Sequence, residues 1–291
     1  MAFRTLVIES RCKLEYSLNY LICRKGNEVN RVVIDEIKTL VIDSLQVSIT
    51  TSLITELVKK KVKIIFTDEC HNPISEIVPY QNNFYSFRKI KEQINFLTER
   101  KDYLWNKIVT IKIINQAKNL KMIGKDKEYK MLLNYATEVK DNDVTNREGH
   151  SAKVYFNALF GFDFSRDDEK NPINKYLNYG YSIILSSINR EVKILGYLTE
   201  LGIHHIGESN SFNLSCDLME TIRPLIDRDV IKKLVNEENY KEKMINILSE
   251  KVKYNNKEIF LDNAIHLMVE DMMNYLSTGN EEKIRFIDYE L

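Results

Sequence analysis

The chain has 291 residues, of which 44% are hydrophobic and 29% charged, with 42 Lys and Arg against 42 Asp and Glu. This length and hydrophobic fraction exclude a disordered protein and allow one large domain or two ordinary ones. Only nine Gly and four Pro are present, which disfavours a fold made throughout of many short strands, so we expect helix to dominate.

The first eighty residues are typical of a small β-rich domain. The segments RTLVIES, KLEYSLNYLICR, VVIDEIKTLVID and KVKIIFTD are rich in β-branched and aliphatic residues and are separated by polar turns. Between them, TTSLITELVKKK places Leu53, Leu57 and Val58 on one face after a Thr, which predicts one inserted helix. The segment HNPISEIVPYQNN holds two prolines, and we expect the domain to span 1–78 with a linker at 79–84.

From residue 85 the hydrophobic period becomes that of helices. Apolar residues at spacings of three, four and seven predict one long amphipathic helix. They are Ile90, Ile94, Leu97, Leu104, Ile108 and Ile111. Further helices are predicted over 127–139, 146–160, 172–198, 212–234, 238–251 and 258–276. The expected fold class is therefore α+β, in which the β-rich domain is followed by a larger, all-helical catalytic domain over 85–291.

Neither a signal peptide nor a membrane span is predicted, because no uncharged stretch is apolar and long enough. The four cysteines never form a CxxC motif. Reduced thiols and a cytoplasmic location are the expectation.

The net charge of zero hides an uneven distribution along the chain. Residues 84–140 carry 13 basic and 6 acidic side chains, whereas residues 141–291 carry 18 and 26. The basic segment suits a surface that faces phosphates, but a solvated, lysine-rich helix face is the alternative.

A carboxylate lies at the N-terminal end of the row of apolar residues in the helix predicted for NREGHSAKVYFNALFGF. Glu148 lies four residues before Ala152, so it is on the helix face that is expected to be buried. A buried Glu needs a paired charge or a cation. The alternative is that Glu148 stabilises the N-terminus of its own helix, with Asn146 as the N-cap.

A second group of polar residues lies in GIHHIGESNSFNLSCDLMETIRP. A polar loop follows His204 and His205, and the next helix carries Asp217 and Glu220 three residues apart on one face. An imidazole and two carboxylates separated by a loop can form a divalent-metal site, although the spacing alone is a weak signal. Magnesium or manganese would suit the carboxylates.

These segments resemble Cas1, the integrase family of CRISPR adaptation. The resemblance rests on NREGHSAKVYFNALFG, on NPINKYLNYGYSIILSSI and on GIHHIGESNSFNLSCDLMETIRP, which matches the family pattern of Gly-x-x-His, a polar loop and Asp-Leu-x-Glu-x-x-Arg-Pro. The sequences of these motifs are most similar to those of the type II form of the family. The order of the motifs and the β-then-α layout agree with the family over the whole chain.

The resemblance implies a set of site residues. The divalent-metal ligands, Mg²⁺ or Mn²⁺, fall on Glu148, His205 and Glu220, and His205 is chosen because it is the third residue after Gly202. Asp217 would support the metal or be an alternate ligand, and Arg223 would orient an acid or a phosphate. Asn174 and Tyr155 match positions near the site. Basic residues expected to hold DNA phosphates are Arg88, Lys89, Lys91, Arg100, Lys101, Lys118 and Lys121.

The resemblance also implies a reaction and partners. A 3′-hydroxyl of a foreign DNA fragment would attack a phosphodiester of the repeat array by transesterification. The protein would act as a homodimer with the small protein Cas2, together with other type II adaptation proteins and the RNA-guided effector nuclease. The β-rich domain would mediate dimerisation and partner docking. Two alternative functions stay open: a metal-dependent hydrolytic nuclease and a non-catalytic DNA-binding scaffold.

Overall fold

The computed structural model of the protein describes residues 4–69, 73–77, 79, 86–233, 244 and 246–289. These residues belong to two compact units, Met1–Gln81 and Asn82–Leu291. The expected linker at 79–84 lies outside the described residues except for Pro79.

The first unit contains two four-stranded sheets and one helix. In one sheet, β1 (Arg4–Ile8), β5 (Ile37–Ile42) and β7 (Lys63–Thr67) run parallel, and β8 (Pro73–Ile77) is antiparallel to β7. In the other, β4 (Glu28–Val33), β3 (Tyr20–Lys25) and β2 (Cys12–Ser17) form an antiparallel meander, and β6 (Val47–Ile49) is parallel to β2.

The inserted helix α1 (Thr51–Lys59) begins where the sequence predicts it. The Thr50 hydroxyl accepts a hydrogen bond from the backbone N–H of Leu53 at 3.3 Å, which caps the helix. Leu53 and Leu57 are fully buried and share a core with Leu14 and Ile64. One apolar face of the helix therefore closes the interior of the unit.

The second unit is mainly helical. Its helices are α2 (Ser86–Ile94), α3 (Thr98–Met122), α4 (Asp126–Thr137), α5 (Arg147–Phe160), α6 (Pro172–Ile194), α7 (Asn213–Met219), α8 (Arg223–Lys233) and α9 (Leu261–Thr278). The long helix α3 contacts α4, α5, α7, α8 and α9, so one of its faces is buried along most of its length. The site described below is built on that face.

Three elements differ from the expectation. The predicted long helix is interrupted at Leu97, which adopts an extended backbone and separates α2 from α3. The predicted helix over 212–234 is divided between α7 and α8. Of the predicted helix over 238–251, the described residues Met244 and Asn246 are helical. A 3₁₀ turn (Ile247–Ser249) follows, and then a hairpin of β9 (Lys251–Tyr254) and β10 (Lys257–Phe260), which precedes α9.

The fold class predicted from the sequence is confirmed: a β-rich N-terminal region is followed by a larger helical one. The hairpin is the one addition to the helical region among the described residues. None of the described helices is both long enough and apolar enough to cross a membrane.

Candidate active site

Glu220 lies at the bend between α7 and α8, and a proline explains the bend. Pro224 has no backbone N–H, and its ring would clash with the carbonyl four residues earlier, so a helix cannot continue through it. The carbonyls of Thr221 and Pro224 are instead satisfied from α3, by Asn115 at 3.2 Å and Asn119 at 2.8 Å. The bend therefore packs on α3 and holds Glu220 in the interior, at 3% exposure.

Glu148 lies in the first turn of α5, but other residues cap this helix. Asp143 accepts hydrogen bonds from the backbone N–H groups of Arg147 at 2.8 Å and Glu148 at 2.9 Å. Asn146 accepts one from Gly149 at 3.3 Å, as the sequence predicts. The Glu148 side chain is thus left to contact α3.

Lys112 of α3 joins the two carboxylates. Its Nζ lies 2.5 Å from Glu148 Oε1 and also contacts Glu220 Oε2. Arg223 Nε lies 2.9 Å from the other oxygen of Glu220. Lys112 is not among the site residues predicted from the sequence, although a lysine on the apolar stripe of IVTIKIINQ, four residues after Ile108, is a signal that could identify it.

The buried charges stabilise one another. Burial alone would lower the pKa of Lys112, but the carboxylates of Glu220 and Glu148 raise it above its ordinary value. Burial alone would raise the pKa of Glu220, but the charges of Arg223 and Lys112 lower it. Lys112 and Glu220 therefore remain charged near neutral pH.

His205 is oriented by Asp217, which is fully buried. Asp217 accepts hydrogen bonds from the backbone N–H groups of Ile203 at 2.6 Å, His204 at 3.0 Å and His205 at 3.2 Å, and its Oδ1 contacts His205 Nδ1. Because an ionised carboxylate only accepts, Nδ1 carries the hydrogen and Nε2 is left to bind another group. The hydrogen bond to Asp217 raises the pKa of His205.

His204 connects the same loop to α3 and to the segment before α5. Its ring stacks on Trp105 with centroids 4.3 Å apart, and its Nδ1 lies 2.8 Å from Asn142 Oδ1. The two adjacent histidines therefore have different surroundings: His204 is clamped between an aromatic ring and an amide, whereas His205 faces Asp217.

Two supporting residues suggested by the resemblance, Asn174 and Tyr155, are buried. Asn174 donates to the carbonyls of Ser165 at 2.7 Å and Asp168 at 2.8 Å and contacts Arg166, so it shapes the loop before α6. Tyr155 accepts from Asn119 at 2.7 Å. Both residues organise backbone and polar side chains, and neither contacts Glu148 or Glu220 through a hydrogen bond or ion pair found in the described residues.

The seven candidate DNA contacts do not share one environment. Arg88, Lys91 and Lys121 are exposed. Lys89 contacts Glu92 at 3.1 Å and the Tyr197 hydroxyl at 3.0 Å, and Arg100 donates to the carbonyls of Leu276 and Ser277 at the end of α9. Lys101 is half-buried, and Lys118 lies 3.5 Å from Asp288.

The chemistry of the site suits a divalent cation. Two carboxylates and a histidine nitrogen are donors that magnesium and manganese accept. Glu220 Oε2 is buried and makes no well-directed hydrogen bond among the described residues, and a positive charge, that of Lys112, already lies between the two acids. Within the same residues, no three His, Cys, Asp or Glu side chains are close enough together to hold a metal ion as they stand.

Comparison with known proteins identifies the family. The family model described as CRISPR associated protein Cas1 matches residues 5–260. The chain belongs to the Cas1 family. A CRISPR-associated endonuclease Cas1 of Neisseria meningitidis is 34% identical over 231 residues, covering 79% of this chain and 76% of that protein. A Cas1 endonuclease of Pyrobaculum aerophilum is 28% identical over 235 residues, covering 75% of this chain and 78% of that protein.

Solved structures share the Cas1 fold. A casposase bound to integration product superposes with a TM-score of 0.81 at 19% identity, covering 99% of this chain and 95% of that one. A Cas6-RT-Cas1–Cas2 complex gives 0.77 at 16% identity, covering 97% of this chain and 36% of that one. The family recognised from three sequence motifs is thus confirmed.

Proposed function

We propose that this Cas1 protein inserts DNA fragments into a CRISPR repeat array, with a divalent metal held by Glu148, His205 and Glu220. The observation that carries the proposal is the convergence of Glu148 and Glu220, from distant segments, on one positive charge beside an oriented histidine. Membership in a family whose curated relatives are named endonucleases supports it.

The proposed reaction is a transesterification. The 3′-hydroxyl of the fragment attacks a phosphodiester of the array, a new P–O bond forms as an old one breaks, and the proton of the attacking hydroxyl ends on the new 3′-hydroxyl. A bound divalent metal would lower the pKa of the attacking hydroxyl and neutralise charge on the phosphate. One phosphodiester replaces another, so the reaction needs no energy from ATP.

The chain's own residues have separate roles in this proposal. Glu148, Glu220 and Nε2 of His205 bind the metal, whether magnesium or manganese. Asp217 fixes the ring of His205, and carboxylate partners of this kind orient metal-binding histidines. Arg223, in contact with Glu220, orients that acid and faces the substrate phosphate.

The partners are part of the same proposal. The protein would work in the cytoplasm as a homodimer with Cas2 and other type II adaptation proteins, including the effector nuclease. The similarity to the Cas6-RT-Cas1–Cas2 complex described above supports a Cas2 partner. The N-terminal unit would provide dimerisation and partner docking.

DNA phosphates would be held by the basic residues named above, and the exposed Arg88 and Lys91 of α2 are the best placed of them to be tested. Reversing both charges should reduce the salt dependence of duplex binding by about two units of slope, one for each lost phosphate contact. An unchanged slope would remove α2 from the DNA surface.

A plasmid assay tests the reaction. Protein and Mn²⁺ are incubated with a labelled duplex with free 3′-hydroxyls and a supercoiled plasmid that carries a repeat. Relaxed plasmid that carries the label supports integration, whereas relaxed plasmid without the label supports the hydrolytic nuclease. Glu148→Ala and Glu220→Ala should lose joining but still bind the duplex. Full joining by both variants would contradict the metal assignment, and wild-type protein that binds DNA without either reaction would favour the scaffold.

A further inference from the structure

Lys112 carries its charge in an interior position. It lies on the buried face of α3, where Ile108, Asn115 and Asn119 are also buried, and its own exposure is 7%. A lysine is almost never buried at this level unless it is paired. The position therefore requires the carboxylates that Lys112 contacts.

Glu148 and Glu220 also require a cation. They come from α5 and from the bend after α7, and both approach the same ammonium group. Two ionised carboxylates this close repel each other in an interior of low dielectric constant. Lys112 therefore holds the two acids together.

The contacts of Lys112 are of a kind that another cation can replace. Glu220 Oε2 has the ammonium beside it but no well-directed hydrogen bond, and Arg223 Nε, on the other side of Glu220, has none either. The ammonium is a compact charge on a flexible stem, unlike the rigid fork of an arginine. Its attraction to the acids combines one hydrogen bond, to Glu148 Oε1, with the attraction of opposite charges, and charge does not distinguish it from a metal ion.

A metal ion bound to both acids would compete with Lys112 for space. Mg²⁺ binds carboxylate oxygen at about 2.1 Å, and Lys112 Nζ already lies 2.5 Å from Glu148 Oε1 while contacting Glu220. An ammonium and a dication at such distances from the same oxygens repel each other strongly. They cannot both remain between the two carboxylates.

We propose that Lys112 is a built-in counter-ion that occupies the cation position between Glu148 and Glu220 in the metal-free protein and withdraws from it when a divalent metal binds. The proposal rests on the metal ligands of the proposed function. Metal binding is then an exchange of cations: Lys112 keeps the acids together before the metal arrives and weakens the apparent metal affinity.

Direct Mn²⁺ binding to the full-length chain tests this role. Lys112→Met keeps most of the side-chain volume and removes the charge, so its dissociation constant for Mn²⁺, measured by calorimetry or by electron paramagnetic resonance of free Mn²⁺, should fall about tenfold. Without metal the variant should unfold at a lower temperature than the wild type, and Mn²⁺ should raise its unfolding temperature by more.

Two further variants complete the test. Lys107→Met changes a lysine of the same helix that lies over the ring of Tyr103, and it should leave Mn²⁺ affinity unchanged. If Lys112→Met does not fold, Lys112→Gln, which also removes the charge, is measured with the same expectation.

The possible results separate the two proposals. Tighter Mn²⁺ binding with a less stable metal-free protein supports the exchange. Unchanged or weaker binding in folded Lys112→Met contradicts it, while the metal site itself stands if Glu220→Gln abolishes the binding seen in the wild type. If Glu220→Gln has no effect on Mn²⁺ binding, the ligand set of the proposed function and the exchange both fail.

Discussion

The two sides of the candidate active site are held by different forces. The histidine side, His205 with Ile203 and His204 of its loop, is fixed by four contacts to Asp217, three of them from backbone N–H groups. The carboxylate side, Glu148 and Glu220, is held by the charges of Lys112 and Arg223. Directed hydrogen bonds fix a position, whereas charge contacts fix only the need for a cation. In the proposed metal site, His205 would therefore be the rigid ligand, and Glu148 and Glu220 the two ligands whose cation can change.

Neutralising Glu220 should have the largest effect on stability, and neutralising Glu148 should have a much smaller one. Glu220→Gln leaves the buried Lys112 with only the partly exposed Glu148 as an acidic contact and removes the acid that Arg223 contacts, a change that costs about 3–5 kcal/mol. The Glu148 side chain is 29% exposed, so Glu148→Gln should cost about 1 kcal/mol or less. Urea unfolding measures both values. Equal losses of stability would show that burial does not distinguish the two acids.

On the histidine side, a substitution of Asp217 should act through the loss of hydrogen bonds. Asp217→Asn replaces one acceptor oxygen with an NH₂ donor, so at least two of the four contacts are lost, at a cost of about 3 kcal/mol. We also expect Mn²⁺ affinity to fall about 10–100-fold, as for other carboxylate partners of metal-binding histidines. Urea unfolding measures the loss of stability, and calorimetry measures the Mn²⁺ affinity. Glu208 is an exposed acid of the following loop, so Glu208→Gln is the matched control and should change neither the stability nor the Mn²⁺ affinity. If Asp217→Asn also changed neither of them, the role of Asp217 would be contradicted.

Asp227 shows what happens to a buried acid whose hydrogen-bond partners are hydroxyl groups. The Tyr181 hydroxyl donates to Asp227, yet burial raises the pKa of Asp227 to about 6 from 3.8. Because the folded protein keeps this proton at a higher pH than the unfolded chain does, the stability it contributes is complete below pH ~4 and is lost as the pH rises through ~6. The loss amounts to about 3 kcal/mol.

Asp227→Asn should remove this pH dependence. The difference in unfolding free energy between wild type and variant, measured in urea from pH 4 to pH 7, should shift by about 3 kcal/mol in favour of the variant. Tyr181→Phe removes a donor that stabilises the ionised form, so its own pH dependence should be steeper than that of the wild type. Curves that remain parallel for wild type and Asp227→Asn would contradict a raised pKa.

Local sequence patterns predict several elements of the fold well. The Asn146 cap, the helix that carries Glu148 and the inserted helix after Thr50 all depend on neighbours a few residues apart, which a sequence shows directly. The hairpin of β9 and β10 had a readable signal as well. Its turn residues Asn255 and Asn256 adopt φ of +49° and +61°, and asparagine is favoured in such two-residue turns.

The partners of the site residues could not be predicted in the same way. Periodicity places Lys112 on the buried face of α3, but it cannot show that acids from α5 and from the bend after α7 meet there. The bend itself was predictable from Pro224, which a continuous helix over 212–234 ignores. The helix break at Leu97 was not, because the apolar stripe continues across it while Gln93 bonds the backbone of Leu198 and Leu201.

The Gly-x-x-His motif provides the smallest change that should disturb the histidine side. A Cβ on Gly202 would lie 2.2 Å from the carbonyl oxygen of His205 and 2.9 Å from Asp217 Oδ2. A backbone atom cannot yield as a flexible side chain does, so Gly202→Ala must displace the loop, at a cost of about 1–3 kcal/mol. Gly207→Ala is the matched control, because its Cβ would meet no atom closer than 3.7 Å.

The two glycine variants also separate the sides of the site. In Gly202→Ala the ring of His205 moves while Lys112 still contacts Glu148 and Glu220, so Mn²⁺ should bind more weakly without a change in the contacts of the acids. The histidine ring signals in an NMR spectrum should shift in Gly202→Ala and stay in place in Gly207→Ala. If the first variant left those signals and Mn²⁺ affinity unchanged, the loop would be as adaptable as the carboxylate side, and the contrast between a rigid ligand and two exchangeable ones would be lost.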